Sequence, residues 1–541
     1  MDELEHPVRA GHRLPWRRLF WSCFVIASLL ATVFALRLVA ERFVRHKLDS
    51  LASEMCAVVD QGQPPTITVA LLRGDLRIAG LLLLPDPTCQ GAELSIEGRL
   101  DTLDVSGLSL LRLVFGGEIV LDRLLVRADG LVVELRKDRA ISNTQKEPEA
   151  RTVRVDRFDV HATSTRFVHR SDDTLSLAVR SVAVSGSNVH FNTGEDGPTS
   201  SRGCEQLLLV LDSLVALTST GYEAAFGRVA LDQGTETFAL HCLSIGPTQG
   251  LEQHSTTMRF EGDVYQARLD TLTGRGLDVE LLLAEGVCSI SGLSISYGDI
   301  GVLRDKTLPD GPDPIKPLLA RVLRGLPLNS GVDTISLNGV DISYQERSTR
   351  SRGYARIPFN GVNATIIGAR NSDVDTARLT IAARCLAFES APVELNFSSL
   401  INDTTDHFDV SARIGALPFS KLNQATGPLA NIRATEGLMD SLVFHMHADD
   451  LSGYGTVRMT YEGLKLENGW RRDGDLMIDV KTALLNTLVR DRNHEKDGVT
   501  RPAKYTLTRL RNRSFFNYLW SGLREGVKAA LLPETLSGQE Q

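Results

Sequence analysis

A slip in apolar phase, centred on a glycine, recurs along this 541-residue chain and limits what it can become. Two apolar residues alternate, a glycine stands four positions after the first, and a new alternation starts directly after the glycine. The copies are Leu76, Ile78, Gly80, Leu81, Leu83; Leu103, Val105, Gly107, Leu108, Leu110; Cys288, Ile290, Gly292, Leu293, Ile295, Tyr297; Ile335, Leu337, Gly339, Val340, Ile342, Tyr344; and Ile357, Phe359, Gly361, Val362, Ala364, Ile366. A looser copy holds Val182, Val184 and Gly186. Strand side chains alternate faces with period two, so the two halves of each copy would point to opposite sides of an unbroken strand. A bulge near the glycine inserts the residue that restores the phase, and glycine accepts the backbone angles this requires. Repetition over about 300 residues predicts a mainly β chain forming a long, curved and twisted sheet with one apolar and one polar face. An ordinary sandwich, its apolar face closed by a second sheet, satisfies the same alternation.

The length alone suggests three or four domains at about 150 residues each, although a large β architecture absorbs it as one. Acidic residues number 67 against 59 basic ones, a net charge of −8 that argues against a broad nucleic-acid-binding face. With 42% hydrophobic and 23% charged residues, the chain is neither disordered nor a polytopic membrane protein. The segment Leu19 to Leu36 is uncharged throughout. As a helix it spans about 27 Å, close to a bilayer core. Arg37 can snorkel and extend the span to Ala40, Trp16 and Trp21 mark an interface, and Arg9, Arg13, Arg17 and Arg18 precede it. This predicts a cytoplasmic tail over 1–18, a single transmembrane anchor over 19–40, a juxtamembrane helix over 41–62 and the bulk of the chain across the membrane. A cleaved signal peptide is the competing reading, but no clean cleavage site follows. The seven cysteines (Cys23, Cys56, Cys89, Cys204, Cys242, Cys288, Cys385) form no C-x-x-C pair, so zinc is not indicated; the six outside the anchor can pair or sit as small hydrophobes.

Beyond the anchor the chain divides into an N-terminal β block (63–140), a central block (151–303) and a C-terminal block (331–490). The polar linker Ile141 to Ala150 separates the first two. The Pro-rich loop Arg304 to Pro314 and the helical stripe Leu318, Leu319, Val322, Leu323, Leu326 occupy 304–330. After a further loop over Asp491 to Pro502, the segment 503–532 begins with Lys504, Arg509, Arg511 and Arg513 and continues as an amphipathic helix ended by Pro533. Phe516, Leu519, Trp520, Leu523 and Val527 are its candidate membrane-interface residues, and a helix plugging the end of the β core is the equal alternative.

No nucleophile elbow, P-loop, dinucleotide fingerprint or H-E-x-x-H motif occurs, so the reading is of a non-enzymatic chain without a cofactor. His445 and His447 share a strand face beside Asp449 and Asp450, a weak metal pattern outweighed by a solvated strand. Asp172 with Asp173, and Glu436 with Asp440, lack the partner context of a catalytic carboxylate pair.

The anchor, the block Gly107 to Leu135 (GLSLLRLVFGGEIVLDRLLVRADGLVVEL), the segment Val302 to Glu346 and the C-terminal NRSFFNYLWSGLREGVK together resemble the AsmA-like envelope proteins, particularly forms found in Bacteroidota. The resemblance implies a single pass through the inner membrane, a long periplasmic β-groove related to that of bridge-like lipid transfer proteins, and a role in cell-envelope biogenesis. It implies membrane lipids and other envelope proteins as partners, and no nucleic acid. The groove-lining candidates are Leu76, Ile78, Leu81, Leu103, Val105, Leu108, Ile290, Leu293, Ile295, Ile335, Leu337, Val340 and Ile342. Against this stands a membrane-anchored structural or adhesive β protein with a closed core and no lipid cargo.

Overall fold

The computed structural model describes residues 35–53, 55–86, 89, 94–109, 112, 118–136, 151–170, 175–193, 205–311, 315–348, 353–468, 500 and 502–531. The strands form three runs in chain order. The first holds β1 (Ala57–Val59), β2 (Thr66–Ala70), β3 (Asp75–Pro85), β4 (Leu94–Ser106) and β5 (Ile119–Arg136). The second holds β6 (Arg151–Arg170), β7 (Leu175–Thr193), β8 (Gln206–Thr218), β9 (Tyr222–Asp232), β10 (Thr237–Pro247), β11 (Asp263–Arg275) and β12 (Ser289–Asp305). The third holds β13 (Gly331–Arg347), β14 (Tyr354–Arg370), β15 (Arg378–Ala387), β16 (Ala391–Leu400), β17 (Phe408–Ile414), β18 (Leu417–Pro418), β19 (Ile432–Ala448), β20 (Ser452–Asn468) and β21 (Ala503–Thr508).

All of them belong to one open, curved sheet of 21 strands. From β2 onward successive strands pair as an antiparallel meander, except that β5–β6 and β12–β13 pair in parallel and that β17 and the short β18 both pair with β19. A parallel pair needs a crossover, since a tight hairpin can only reverse direction. The first crossover runs through 137–150, outside the described residues, and the second through 306–330, which contains α4 (Leu319–Arg324). The remaining helices are α1 (residues 35–53), α2 (Leu251–Thr257), α3 (Val279–Glu285), α5 (Asn423–Ala430) and α6 (Phe515–Leu531).

The register explains why this sequence makes a single sheet with two unlike faces. Paired residues Ile67, Ile78, Leu103, Val126, Val160, Val184, Leu209, Leu231 and Phe238 lie side by side across β2 to β10. The same row continues through Gly274, Leu293, Ile335, Ile366, Ile381, Phe397, Val410, Met446, Gly455 and Tyr505. At ~4.8 Å per strand it runs roughly 85 Å along the sheet. A second row beside it joins Leu81, Leu100, Ala128, Ala162, Val182 and Leu211 and is apolar to its end at Ala503. One residue to the side, on the other face, stand Arg77, Asp104 and Asp159, and exposed ion pairs such as Arg77–Asp104 (3.6 Å) and Arg123–Asp159 (3.3 Å) keep that face wet.

The phase slips exist, and they take two forms. In β3 the buried positions change from Ile78 to Leu81 and Leu83 around Gly80, whose φ is +70°. In β14 they change from Ile357 and Phe359 to Val362, Ala364 and Ile366 around Gly361, and here the pairing with β15 shifts as a bulge does. Across β5 to β13, however, no extra residue is inserted. A residue with left-handed φ stands two positions beyond the second apolar row in β5 (Gly130), β6 (Ser164), β8 (Ser213), β10 (Cys242), β12 (Tyr297) and β13 (Gly339), while the register on either side is unchanged. Neighbouring strands turn over together, making a crease that keeps apolar side chains on one face. Gly292 departs from the expectation: it is not left-handed and pairs with Arg275 and Thr334, so the break in β12 falls at Tyr297 instead.

Candidate functional site

The apolar face is covered at both ends and bare between them. On the first strands, α1 lays Ala40, Val44, Leu48 and Ala52, spaced every four residues along one helix face, against Ile67, Ile78, Leu81 and Leu83. Over the last strands, α4, α5 and α6 complete a core with Phe397, Phe408, Met446, Val457 and Tyr461. Among the described residues, strands β5 to β13 make substantial contacts only with their neighbours in the sheet, with α2 packed on β10 to β12 and α5 touching β13, and no second sheet closes over the rows. Val126, Val160, Val184, Leu209, Leu231, Phe238 and Leu293 are accordingly half-buried. Beyond the crease, Phe167 is 37% and Ile245 39% exposed, both in an apolar row that continues to Ala267, Ile300 and Ile342. A core residue of a closed sandwich would be fully covered.

The sequence candidates fall into groups on this frame. Ile78, Leu103, Leu293 and Ile335 stand in the first row, Leu81, Ile295 and Leu337 in the second, and Leu76 pairs with Val105 in a flanking row. Val340 and Ile342 lie beyond the crease, where Val340 is 0% exposed in a small cluster with Leu243 and Leu269. Leu108 follows the end of β4, its N–H donating to the Gly74 carbonyl at 3.0 Å. Ile290 pairs with Val332, three residues before Leu293 and with no left-handed residue between, so alternation puts it on the polar face. Of these candidates, Ile78, Leu81, Leu76 and Leu103 lie under the α1 cover, whereas Leu293, Ile295, Ile335 and Leu337 border the bare stretch.

The C-terminal helix is split differently from the stripe read in the sequence. Phe515, Tyr518, Gly522, Gly526 and Ala530 are buried, and Leu519, Leu523 and Val527 pack beside them. A Cβ on Gly526 would meet Val457 Cγ2 at 2.2 Å, and one on Gly522 would meet Met446 Sδ at 2.9 Å, so the two glycines let the helix sit directly on the sheet. Only Phe516 (75% exposed) and Trp520 (42%) of the five interface candidates face outward. The basic run before the helix is likewise engaged. Arg509 and Arg511 pair with Asp450, and Arg513 with Glu261 (2.7 Å) and Asp310 (3.1 Å). Arg321 and Arg324 hold the fully buried Asp406, tying α4 to the same edge. Burial pushes the Glu261 carboxyl up, but hydrogen bonds from Arg513 and Arg304 outweigh it and bring it down to about 2.

A second concavity of about 600 Å³ lies on the polar face, lined by Leu208, Asp232, Thr237, Arg275, Ser294 and Thr334 among others. No motif marked it: most of its lining comes from the polar-face positions of β8 to β13, and Leu231, Phe238, Gly274 and Leu293 of the first apolar row line it as well. Among the described residues no group of three or more His, Cys, Asp or Glu is placed to hold a metal, and His447 bonds Asp409 through Nδ1 at 2.5 Å. Also among them, no helix is long and apolar enough to cross a membrane; residues 19–34 of the expected anchor lie outside the described residues. The fold thus defines an open, curved β-sheet protein whose apolar face is covered by helices at both ends and, among the described residues, open along the middle of its first row. A comparison with known protein families and with curated proteins returns no match.

Proposed function

We propose that this chain is a membrane-anchored protein of cell-envelope biogenesis that holds or transfers lipid acyl chains along its apolar face. The observation that carries the reading is the apolar floor over β5 to β13, half-buried along its first row and buried beside it at Ala128, Ala162, Leu243, Leu269 and Val340, and continuous in register with covered floor at each end. Withdrawing a methylene from water is worth about 0.8 kcal/mol, so such a floor binds chains without fixed polar groups. In this reading Leu19 to Ala40 anchors the chain in the inner membrane, the sheet stands in the periplasm as a taco-like groove, and the chain is AsmA-like. Phe516 and Trp520, the outward pair on α6, are its remaining interface candidates.

The test uses the intact chain, taken from membranes into lipid nanodiscs and then released from them. Photo-crosslinkers at Leu231 and Ile245 should capture phospholipid, identified by mass spectrometry after extraction. Absence of both crosslinks and co-purifying lipid would leave the structural or adhesive reading in its place. For the anchor, protease shaving of spheroplasts should leave a small membrane-bound fragment. A soluble product starting near residue 41 would overturn that part.

A further inference from the structure

Two cysteines meet where the N-terminal cover joins the sheet. The turn after α1 brings Cys56 to the start of β1, and β1 pairs with the end of β3 through Ala57 opposite Pro85. Cys56 therefore stands opposite Asp86, whose N–H donates to the Cys56 carbonyl at 3.0 Å. The Cys89 N–H donates to the Asp86 carbonyl at 3.2 Å, so both cysteines are bonded through their backbones to the same residue, Asp86. Cys89 Sγ also approaches Asp86 Oδ2 at 3.9 Å. Cys56 is buried and Cys89 partly exposed, so one sulfur of the pair is open to a reagent.

We propose that Cys56 and Cys89 are a disulfide-forming pair that staples the end of α1 to the loop after β3, fixing the cover over the first strands of the groove. The oxidant required is a disulfide-bearing one. The Cys89 thiolate attacks it and expels one thiolate, and the Cys56 sulfur then displaces the second from the mixed disulfide. One S–S bond forms in the protein, one breaks in the oxidant, and the two protons leave with the two expelled sulfurs. The Cys56 thiol, burial and the Asp86 carboxylate together push Cys89 up to about 11. Thiolate is scarce at neutral pH, and the reaction accelerates as pH rises towards that value. The inference is independent of lipid binding, because it concerns only the closure of this corner.

Intact protein would be incubated with oxidised glutathione at pH 7 and pH 9, alkylated, and mapped by mass spectrometry without reduction. The expected result is a peptide joining Cys56 to Cys89, lighter by about 2 Da than its two thiol halves. It should form at least tenfold faster at pH 9, while the exposed Cys242 and Cys288 serve as alkylation controls. C89S should abolish the joined peptide and leave Cys56 as a thiol, with far-UV circular dichroism checking the fold. Alkylation of both thiols after prolonged oxidation of folded wild-type protein, or linkage of either to a different cysteine, overturns the proposal.

Discussion

Leu208 and Leu209 are consecutive in β8 and face opposite sides of the sheet, which makes them a matched pair of probes. Leu209 stands in the first apolar row between Val184 and Leu231, while Leu208 pairs with Ser185 and Asp232 and lines the polar-face concavity. With strands ~4.8 Å apart, about four methylenes of an extended acyl chain cross each strand. At about 0.8 kcal/mol per methylene, one strand contributes ~3 kcal/mol to retention. Leu209→Asp keeps a hydrated carboxylate on that path and should weaken acyl-chain retention about 100-fold. Leu208→Asp should leave it within about twofold. Leu209 is half-buried and Leu208 44% exposed, so neither change buries a charge in a closed core. Retention is read as displacement of a fluorescent fatty acid by unlabelled lipid, normalised to folded protein by circular dichroism. Equal losses in the two variants would refute the face assignment, and loss in Leu208→Asp alone would move the site to the polar-face concavity.

Three further outcomes follow from the packing. Gly361→Val meets no atom within 4 Å at its Cβ but forces a φ of +58° on a β-branched residue, so it should cost about 1–2 kcal/mol in urea unfolding, with Gly361→Asn costing less. Gly526→Val drives its side chain into Val457 and should destabilise by about 3 kcal/mol while raising dye binding at the lifted end of the sheet; a neutral result means α6 does not sit where described. The Glu261 carboxyl is depressed from 4.5 to about 2, so its ~3 kcal/mol contribution is complete above pH 5 and is lost as pH falls towards 2. Glu261→Gln should therefore lower the melting temperature at pH 7 and converge with the wild type near pH 2.

The phase slip was read in place at Gly80, Gly339 and Gly361, was missed at Gly130, and was missed where a residue other than glycine did the same work. Leu207, Leu209 and Leu211 followed by Leu214 and Ala216 contain the same slip, with Ser213 in the left-handed position. Tracking apolar phase rather than glycine would have found Ser164, Ser213, Cys242 and Tyr297, and would have moved the break in β12 from Gly292 to Tyr297. Their alignment into one crease depends on inter-strand register, which a single strand's pattern does not contain.

In the C-terminal segment the sequence left two readings level for a different physical reason. Phe516 and Trp520 support a membrane interface and the apolar stripe supports a plug equally, and the informative residues are Gly522 and Gly526, one helical turn apart, which allow a helix to approach a sheet too closely for any side chain. The partners of the basic run are invisible in the local sequence because its acids lie far off: Asp450 for Arg509 and Arg511, and Glu261 for Arg513. These pairs bind the end of the chain to strands on either side of the second parallel joint. The cover over β14 to β21 is therefore held by apolar packing and by charge at once, whereas no helix packs on the two apolar rows from β5 to β9 among the described residues, and on β10 to β12 the short α2 and the ion pairs of Arg304 engage only the strand ends. Loss of cover, and not any change in the composition of the rows, is what distinguishes the proposed acyl path from the core on either side of it.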